Sequence, residues 1–190
     1  FALRAEIGSG GMGRVTLFRD EWLGRLVAVK EPATEADARR LWREALVTAR
    51  LEHPGIVPIY DLGVGANGTP WFAMRVVRGR SLAEILKAEP GPHPELLRPL
   101  LAVCEAVGFA HRQGIVHRDL KPANVMVGAF GEMQVIDWGL AQAEDLPEAD
   151  VGSAGTLAYM SPEQARGEPV APTADVWSLG AVLYEVTTGM

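Results

Sequence analysis

The run His117-Arg118-Asp119-Leu120-Lys121-Pro122-Ala123-Asn124 places a carboxylate, an ammonium and a carboxamide within eight consecutive positions. Residues 94–112, before it, read as a long apolar helix, and residues 125–127, after it, as a short apolar strand. A helix must therefore deliver this polar segment and a strand must carry the chain away from it. Its side chains are those needed to align a hydroxyl, balance a phosphoryl charge and hold a metal ion.

Size and charge narrow the field. The 190 residues suffice for one sizeable core or two small lobes. A net charge of −6 argues against a general nucleic-acid or membrane-surface binder, so no nucleic acid is expected among the partners. Cys104 is the single cysteine, which rules out a disulfide within the chain and suits a reducing compartment. It sits in an apolar helical stretch and is expected in the core. No basic-then-apolar leader and no bilayer-length apolar run is present. The chain opens inside a strand-like run and stops at Met190. Both ends are thus expected to be cuts from a longer parent, which has room for a membrane anchor.

Strands are expected over residues 1–7, 15–19, 26–30, 56–60 and 71–77. Thr34-Glu35-Ala36-Asp37 resembles a capping box and opens a helix to about residue 51, with Ala38, Leu41, Trp42, Ala45 and Ala49 as its apolar face. After Gly79 the pattern turns helical. Ser81 caps a helix over 82–87. Pro99 should kink or delay the 94–112 helix. Short strands follow at 125–127 and 133–136. Residues 140–160 lack periodicity and read as a long loop. The 173–187 helix is apolar nearly all round, which predicts a buried central helix. The fold class is α+β, with a sheet-rich part over 1–77 and a mainly helical part over 78–190.

Further motifs surround the polar run. Gly8-Ser9-Gly10-Gly11-Met12-Gly13-Arg14-Val15 fits G-x-G-x-x-G-x-V. Glycines let backbone N–H groups come close to phosphate oxygens. A strand rather than a helix follows, which suits a lid over phosphates, although the motif alone is equally a hairpin turn. Val27-Ala28-Val29-Lys30 puts Ala28 and Lys30 on one strand face, Ala28 leaving room for a flat base and Lys30 reaching for phosphate. A solvated lysine at a strand end is the plain alternative. Glu44 on the next helix is either its ion-pair partner or a solvated charge. Asp137 in Asp137-Trp138-Gly139 is a candidate Mg²⁺ ligand or an ordinary turn aspartate.

Together with Ser161-Pro162-Glu163, these motifs occur in one order, and the whole chain resembles a eukaryotic-type protein Ser/Thr kinase of the bacterial kind. The resemblance implies a two-lobed domain using ATP and Mg²⁺, with Mn²⁺ as a substitute. It implies protein substrates carrying Ser or Thr, self-association for autophosphorylation, and a cytoplasmic setting. By motif position, Asp119 would orient the substrate hydroxyl and Lys121 would neutralise the moving phosphoryl group. Asn124 and Asp137 would hold metal, and Lys30, paired with Glu44, would position the α- and β-phosphates. Gly8, Gly10 and Gly13 would form the lid. Ile7, Val15, Ala28 and Met126 would enclose adenine, with Met74 as gatekeeper and the backbone of Arg75 and Val77 bonding its edge. Lys121 with Thr156 resembles the Ser/Thr class.

Some positions depart from the family pattern. Trp138 stands where Phe is usual, Ser161 where Ala is usual, and Arg75 at a common Glu. Arg118 would meet a loop phosphate, with Ser153 and Thr156 the hydroxyls of that loop. Glu148 or Asp150 is expected to replace the phosphate in part, against the alternative of a solvated acidic loop. The family's partner for Glu163 and the last helices of the domain are expected to be missing. That predicts an unpaired carboxylate, exposed apolar surface and low stability. A nucleotide-binding pseudokinase is the alternative function. An aminoglycoside-type phosphotransferase is disfavoured by Lys121-Pro122 and residues 155–163.

Overall fold

The computed structural model describes residues 1–10, 13–143, 145–146 and 156–190. It is α+β and divides into two compact units, Phe1–Glu52 with Val57–Val77, and His53–Ile56 with Arg78–Met190.

The first unit is an antiparallel sheet with one helix. Its strands are β1 (Ala2–Gly10), β2 (Gly13–Asp20) and β3 (Arg25–Glu31), then helix α1 (Ala38–Ala49), then β4 (Ile59–Val64) and β5 (Pro70–Arg75). The sheet order is β1-β2-β3-β5-β4. Gly13 opens β2 at φ 146°, and a side chain there would run into the Glu31 carbonyl, so glycine is required. Alternation splits the strands between two faces. Val27, Val29 and Ala73 pack with Phe18 and Trp71 on one face. Phe72 packs with Leu41 and Ala45 of α1 on the other, joined by Ile59, Leu62 and Met74. Burying a side chain of this size is worth about 1.5–3 kcal/mol.

Two expectations are corrected here. The apolar face of α1 excludes Trp42 and Ala49, which are exposed; the buried residues are Leu41, Glu44, Ala45, Val47 and Thr48. The helix is turned so that a carboxylate points at the sheet. The strand expected over 56–60 begins instead at Ile59, while Ile56 forms an isolated parallel bridge with Val135 in the second unit. Pro58 lacks the N–H that a continuous ladder would use. Thr34 and Asp37 do pair as expected: the Asp37 carboxylate accepts from the Thr34 N–H at 3.1 Å and Oγ1 at 2.6 Å.

The second unit begins with β6 (Gly79–Ser81) and α2 (Leu82–Ala88), where Ser81 and Glu84 form a reciprocal cap. After a single helical turn at Pro94–Leu96 comes α3 (Leu97–Arg112), so the proline-rich start does delay the helix. Then follow β7 (Ile115–Val116), β8 (Val125–Gly128), β9 (Met133–Val135), β10 (Gln142–Ala143), α4 (Pro162–Ala165) and α5 (Thr173–Thr188). β6, β8 and β9 form one sheet, and β7 pairs with β10.

α3 lies against β7, β9 and α5, burying Leu100, Val103, Ala106, Val107 and Ala110. Cys104 falls at the edge of this stripe and is exposed, contrary to its expected core position. α5 is also not buried all round: Ala174, Asp175, Ser178, Val182 and Val186 are buried, while Val176, Trp177, Leu183 and Tyr184 are exposed. A concavity of about 850 Å³ runs along that exposed face. Among the described residues no helix is long and apolar enough to cross a membrane.

Candidate active site

Each unit holds one charged cluster of its own. In the first, β3 and β5 are registered with Lys30 opposite Phe72 and Ala28 opposite Met74. Opposed residues share a face, so Lys30 lies on the α1 side, above Glu44. Lys30 Nζ donates to both carboxylate oxygens of Glu44, at 2.7 and 2.8 Å, and both side chains are buried. A buried ammonium is tolerable only because of this pairing. Val15 on β2 is opposite Lys30. Ala28 is buried, whereas Met74, Arg75 and Val77 are half-buried. Gly8 and Gly10 lie in β1, opposite Val15 and Gly13, and Ile7 lies in the same strand.

The second cluster is built on the loop between β7 and β8. Arg118 and Asp137 are the non-glycine residues with positive φ among the described residues, at 70° and 62°. Such conformations persist only where the surroundings hold them. Asp175, in the first turn of α5 and wholly buried, accepts the backbone N–H groups of His117 at 2.8 Å and Arg118 at 2.9 Å. His111 of α3 meets the same carboxylate through Nε2 at 2.8 Å. The His117 ring is buried against Trp138, its Nδ1 accepting from the Asp119 N–H at 3.2 Å. Nε2 is then the protonated nitrogen, facing the Ile136 carbonyl at 3.3 Å. Trp138 is fully buried, although its indole N–H has no partner among the described residues.

Three donors converge on Asp119. Lys121 Nζ reaches its Oδ2 at 2.7 Å, Asn124 Nδ2 the same oxygen at 3.2 Å, and the Thr156 N–H its Oδ1 at 3.3 Å. Lys121 Nζ also donates to Thr156 Oγ1 at 2.9 Å. Three donors on two oxygens fix the orientation of this carboxylate. Asn124 donates a second bond to the Asp119 carbonyl at 2.8 Å, and its own carbonyl accepts the Ile136 N–H at 2.9 Å. That bond brings Asn124 beside the strand end that carries Asp137.

Among the described residues no group of three or more His, Cys, Asp or Glu is arranged to hold a metal. The Asn124 amide nitrogen is committed to Asp119, which leaves its side-chain oxygen able to ligate a cation, and Asp137 follows the Ile136 that Asn124 holds. Two protein oxygens suit a hard cation such as Mg²⁺, which keeps waters and completes its shell with phosphate oxygens. The residues present therefore fit such an ion.

Met126 lies in β8, half-buried and opposite Ser81. Glu163, in α4, is half-buried. Glu148, Asp150 and Ser153 lie outside the described residues. Sequence reading assigns no role to Asp175, His111 or Gln164. Gln164 carried a signal, because Ser161-Pro162-Glu163-Gln164 is the S-x-x-Q spacing of a capping box.

A protein kinase domain model matches residues 1–190. The chain is 42% identical over 208 residues to the serine/threonine-protein kinase PknB of Mycobacterium tuberculosis, covering 100% of this chain and 32% of that protein. It is 41% identical over 203 residues to a probable serine/threonine-protein kinase of Corynebacterium efficiens, covering 100% of this chain and 31% of that protein. Serine/threonine-protein kinase PknD of Protochlamydia amoebophila is 34% identical over 220 residues, covering 96% of this chain and 22% of that protein. The chain thus spans about a third or less of the length of these relatives.

Proposed function

The chain belongs to the protein kinase domain family, and on that premise we propose that it is an ATP-dependent protein serine/threonine kinase. It moves the γ-phosphoryl group of ATP to Ser and Thr hydroxyls of proteins, its own copies included. The observation that carries this reading is the convergence of Lys121, Asn124 and the Thr156 N–H on the Asp119 carboxylate. Phosphoryl transfer needs alignment and charge balance more than covalent help, and this cluster supplies both.

Asp119 receives and orients the attacking hydroxyl. Lys121 offsets charge on the group in flight, and its bond to Thr156 ties that function to the segment before α4, as suits a Ser/Thr acceptor. Asn124 and Asp137 hold the divalent ion, Mg²⁺ first and Mn²⁺ by the same oxygen donors. When bound, the ion draws charge from the phosphate oxygens. Lys30, set by Glu44, holds the α- and β-phosphates. Gly8, Gly10 and Gly13 close over them. Val15 and Ala28 take the base beside Met74, and the backbone of Arg75 and Val77 bonds its edge. Residues 1–77 serve as the nucleotide-holding part and 78–190 as the acceptor-aligning part. Arg118 receives a phosphate or an acidic side chain of the loop before Thr156. Use of ATP and a single cysteine both suit a cytoplasmic setting.

The test is incubation with radiolabelled ATP, Mg²⁺ and a generic protein acceptor, followed by phosphoamino-acid analysis. Label on phosphoserine or phosphothreonine is the expected result. Label on phosphotyrosine alone, or none from protein that binds nucleotide, would sink the reading.

A further inference from the structure

The peptide that joins Arg118 to Asp119 is held at both of its polar atoms. Its N–H, belonging to Asp119, donates to His117 Nδ1 at 3.2 Å. Its carbonyl, belonging to Arg118, accepts from Gln164 Nε2 at 2.8 Å. The orientation of this peptide sets the direction in which Asp119 projects its side chain. The left-handed Arg118 beside it, at φ 70°, has no intrinsic preference for that orientation.

Gln164 comes from α4, 46 positions further along the chain, and it is 9% exposed. The other end of its amide faces Ser161: Oε1 accepts from the Ser161 N–H at 3.3 Å and from Ser161 Oγ at 3.1 Å. Two donors there fix which end of the amide is oxygen, so the end facing Arg118 is the N–H donor. Capping α4 needs only the oxygen. The nitrogen is spent on the residue before Asp119, which capping does not explain.

We propose that Gln164 is a positioning residue for phosphoryl transfer. By holding the Arg118–Asp119 peptide it fixes the aim of the Asp119 carboxylate, and it couples the docking of α4 to the readiness of that carboxylate. The proposal rests on the kinase reading above.

The test compares Gln164→Met, Ser161→Ala and Gln164→Glu in the full-length protein that contains this chain. Gln164→Met loses both the cap and the donor, whereas Ser161→Ala weakens the cap and keeps the donor. For Gln164→Met, kcat is expected to fall about tenfold to a hundredfold with KM for ATP unchanged, while Ser161→Ala stays within about twofold. Tenfold corresponds to about 1.4 kcal/mol, the scale of one hydrogen bond lost from a buried acceptor. Gln164→Glu keeps an acceptor for Ser161 but turns an acceptor on the Arg118 carbonyl. Its rate relative to wild type should recover as pH is lowered from about 8 to about 6, because protonation of a buried carboxyl restores a donor. A merely structural role would leave that ratio flat.

Equal kcat losses in Gln164→Met and Ser161→Ala, each following its loss of thermal stability, would overturn the proposal. If the wild-type protein transfers no phosphate, the kinase reading fails separately. Hydrogen exchange then decides the role of Gln164. Amides 117–121 exchanging faster in Gln164→Met than in Ser161→Ala support it, and equal exchange overturns it.

Discussion

Asp175 and Arg118 are 57 positions apart in sequence, yet the Asp175 carboxylate accepts the Arg118 backbone N–H at 2.9 Å. The same carboxylate takes the His117 N–H at 2.8 Å. The first turn of α5 is therefore the anchor of the loop that carries Asp119, and the geometry of the site is a tertiary property rather than a local one.

Asp175→Ala leaves two buried backbone donors without acceptors, at about 1–3 kcal/mol each. Chemical denaturation should show stability reduced by about 2–6 kcal/mol, with phosphoryl transfer lost. Asp175→Asn keeps the shape but offers one acceptor oxygen in place of two, so it should lie between wild type and Asp175→Ala. A stability change below about 0.5 kcal/mol for Asp175→Ala would show that the anchor lies elsewhere.

The ion pair of Lys30 and Glu44 is buried, so removing one partner should cost more than removing both. Lys30→Met strands the Glu44 carboxylate, at about 3–5 kcal/mol. Adding Glu44→Leu should restore much of that stability without restoring transfer, because Lys30 is the group proposed to meet phosphate. A double-mutant cycle by urea denaturation measures this. Additive losses would contradict the pairing.

His93 gives the protein a pH-dependent contact. Its Nδ1 meets Glu95 Oε1 at 2.9 Å and its Nε2 the Glu89 carbonyl at 2.7 Å, and only the imidazolium donates to both. The bond to Glu95, then the bond to the Glu89 carbonyl, raise its pKa above the ordinary value. The folded state thus binds this proton more tightly than the unfolded chain. The stabilisation is complete below about pH 6.5, the unfolded value, and is lost as pH rises through the raised folded value. Denaturation midpoints of wild type and His93→Gln should differ at about pH 5.5 and converge toward about pH 9. A gap that is constant or widens with pH would contradict this assignment.

Long periodic segments were legible in the sequence: α1, α3 and α5 occur close to where apolar spacing places them, because periodicity reports a buried stripe directly. The faces were less legible. Trp42 fits the helical stripe by spacing but stands outside it, since α1 is turned to bring Glu44 over Lys30. β6, β7 and β10 were invisible, being two or three residues long and defined only by distant partners. Cys104 sits among apolar neighbours, but on α3 it falls just outside the buried stripe of Leu100, Val103 and Val107. Motif spacing singled out Asp119, Lys121 and Asn124. Asp175 accepts backbone N–H groups and Gln164 donates to a backbone carbonyl, and a bond to the backbone leaves little trace in the partner's residue type.

The measurement that bears most directly on the account is single-turnover phosphate transfer from Mg-ATP by wild type and Asp119→Asn, with nucleotide affinity measured alongside. Asn keeps the shape of the side chain and removes the charge on which Lys121, Asn124 and Thr156 converge. The account predicts a transfer rate lower by about 10²–10⁴-fold with nucleotide affinity unchanged. A variant that transfers phosphate at the wild-type rate would contradict it.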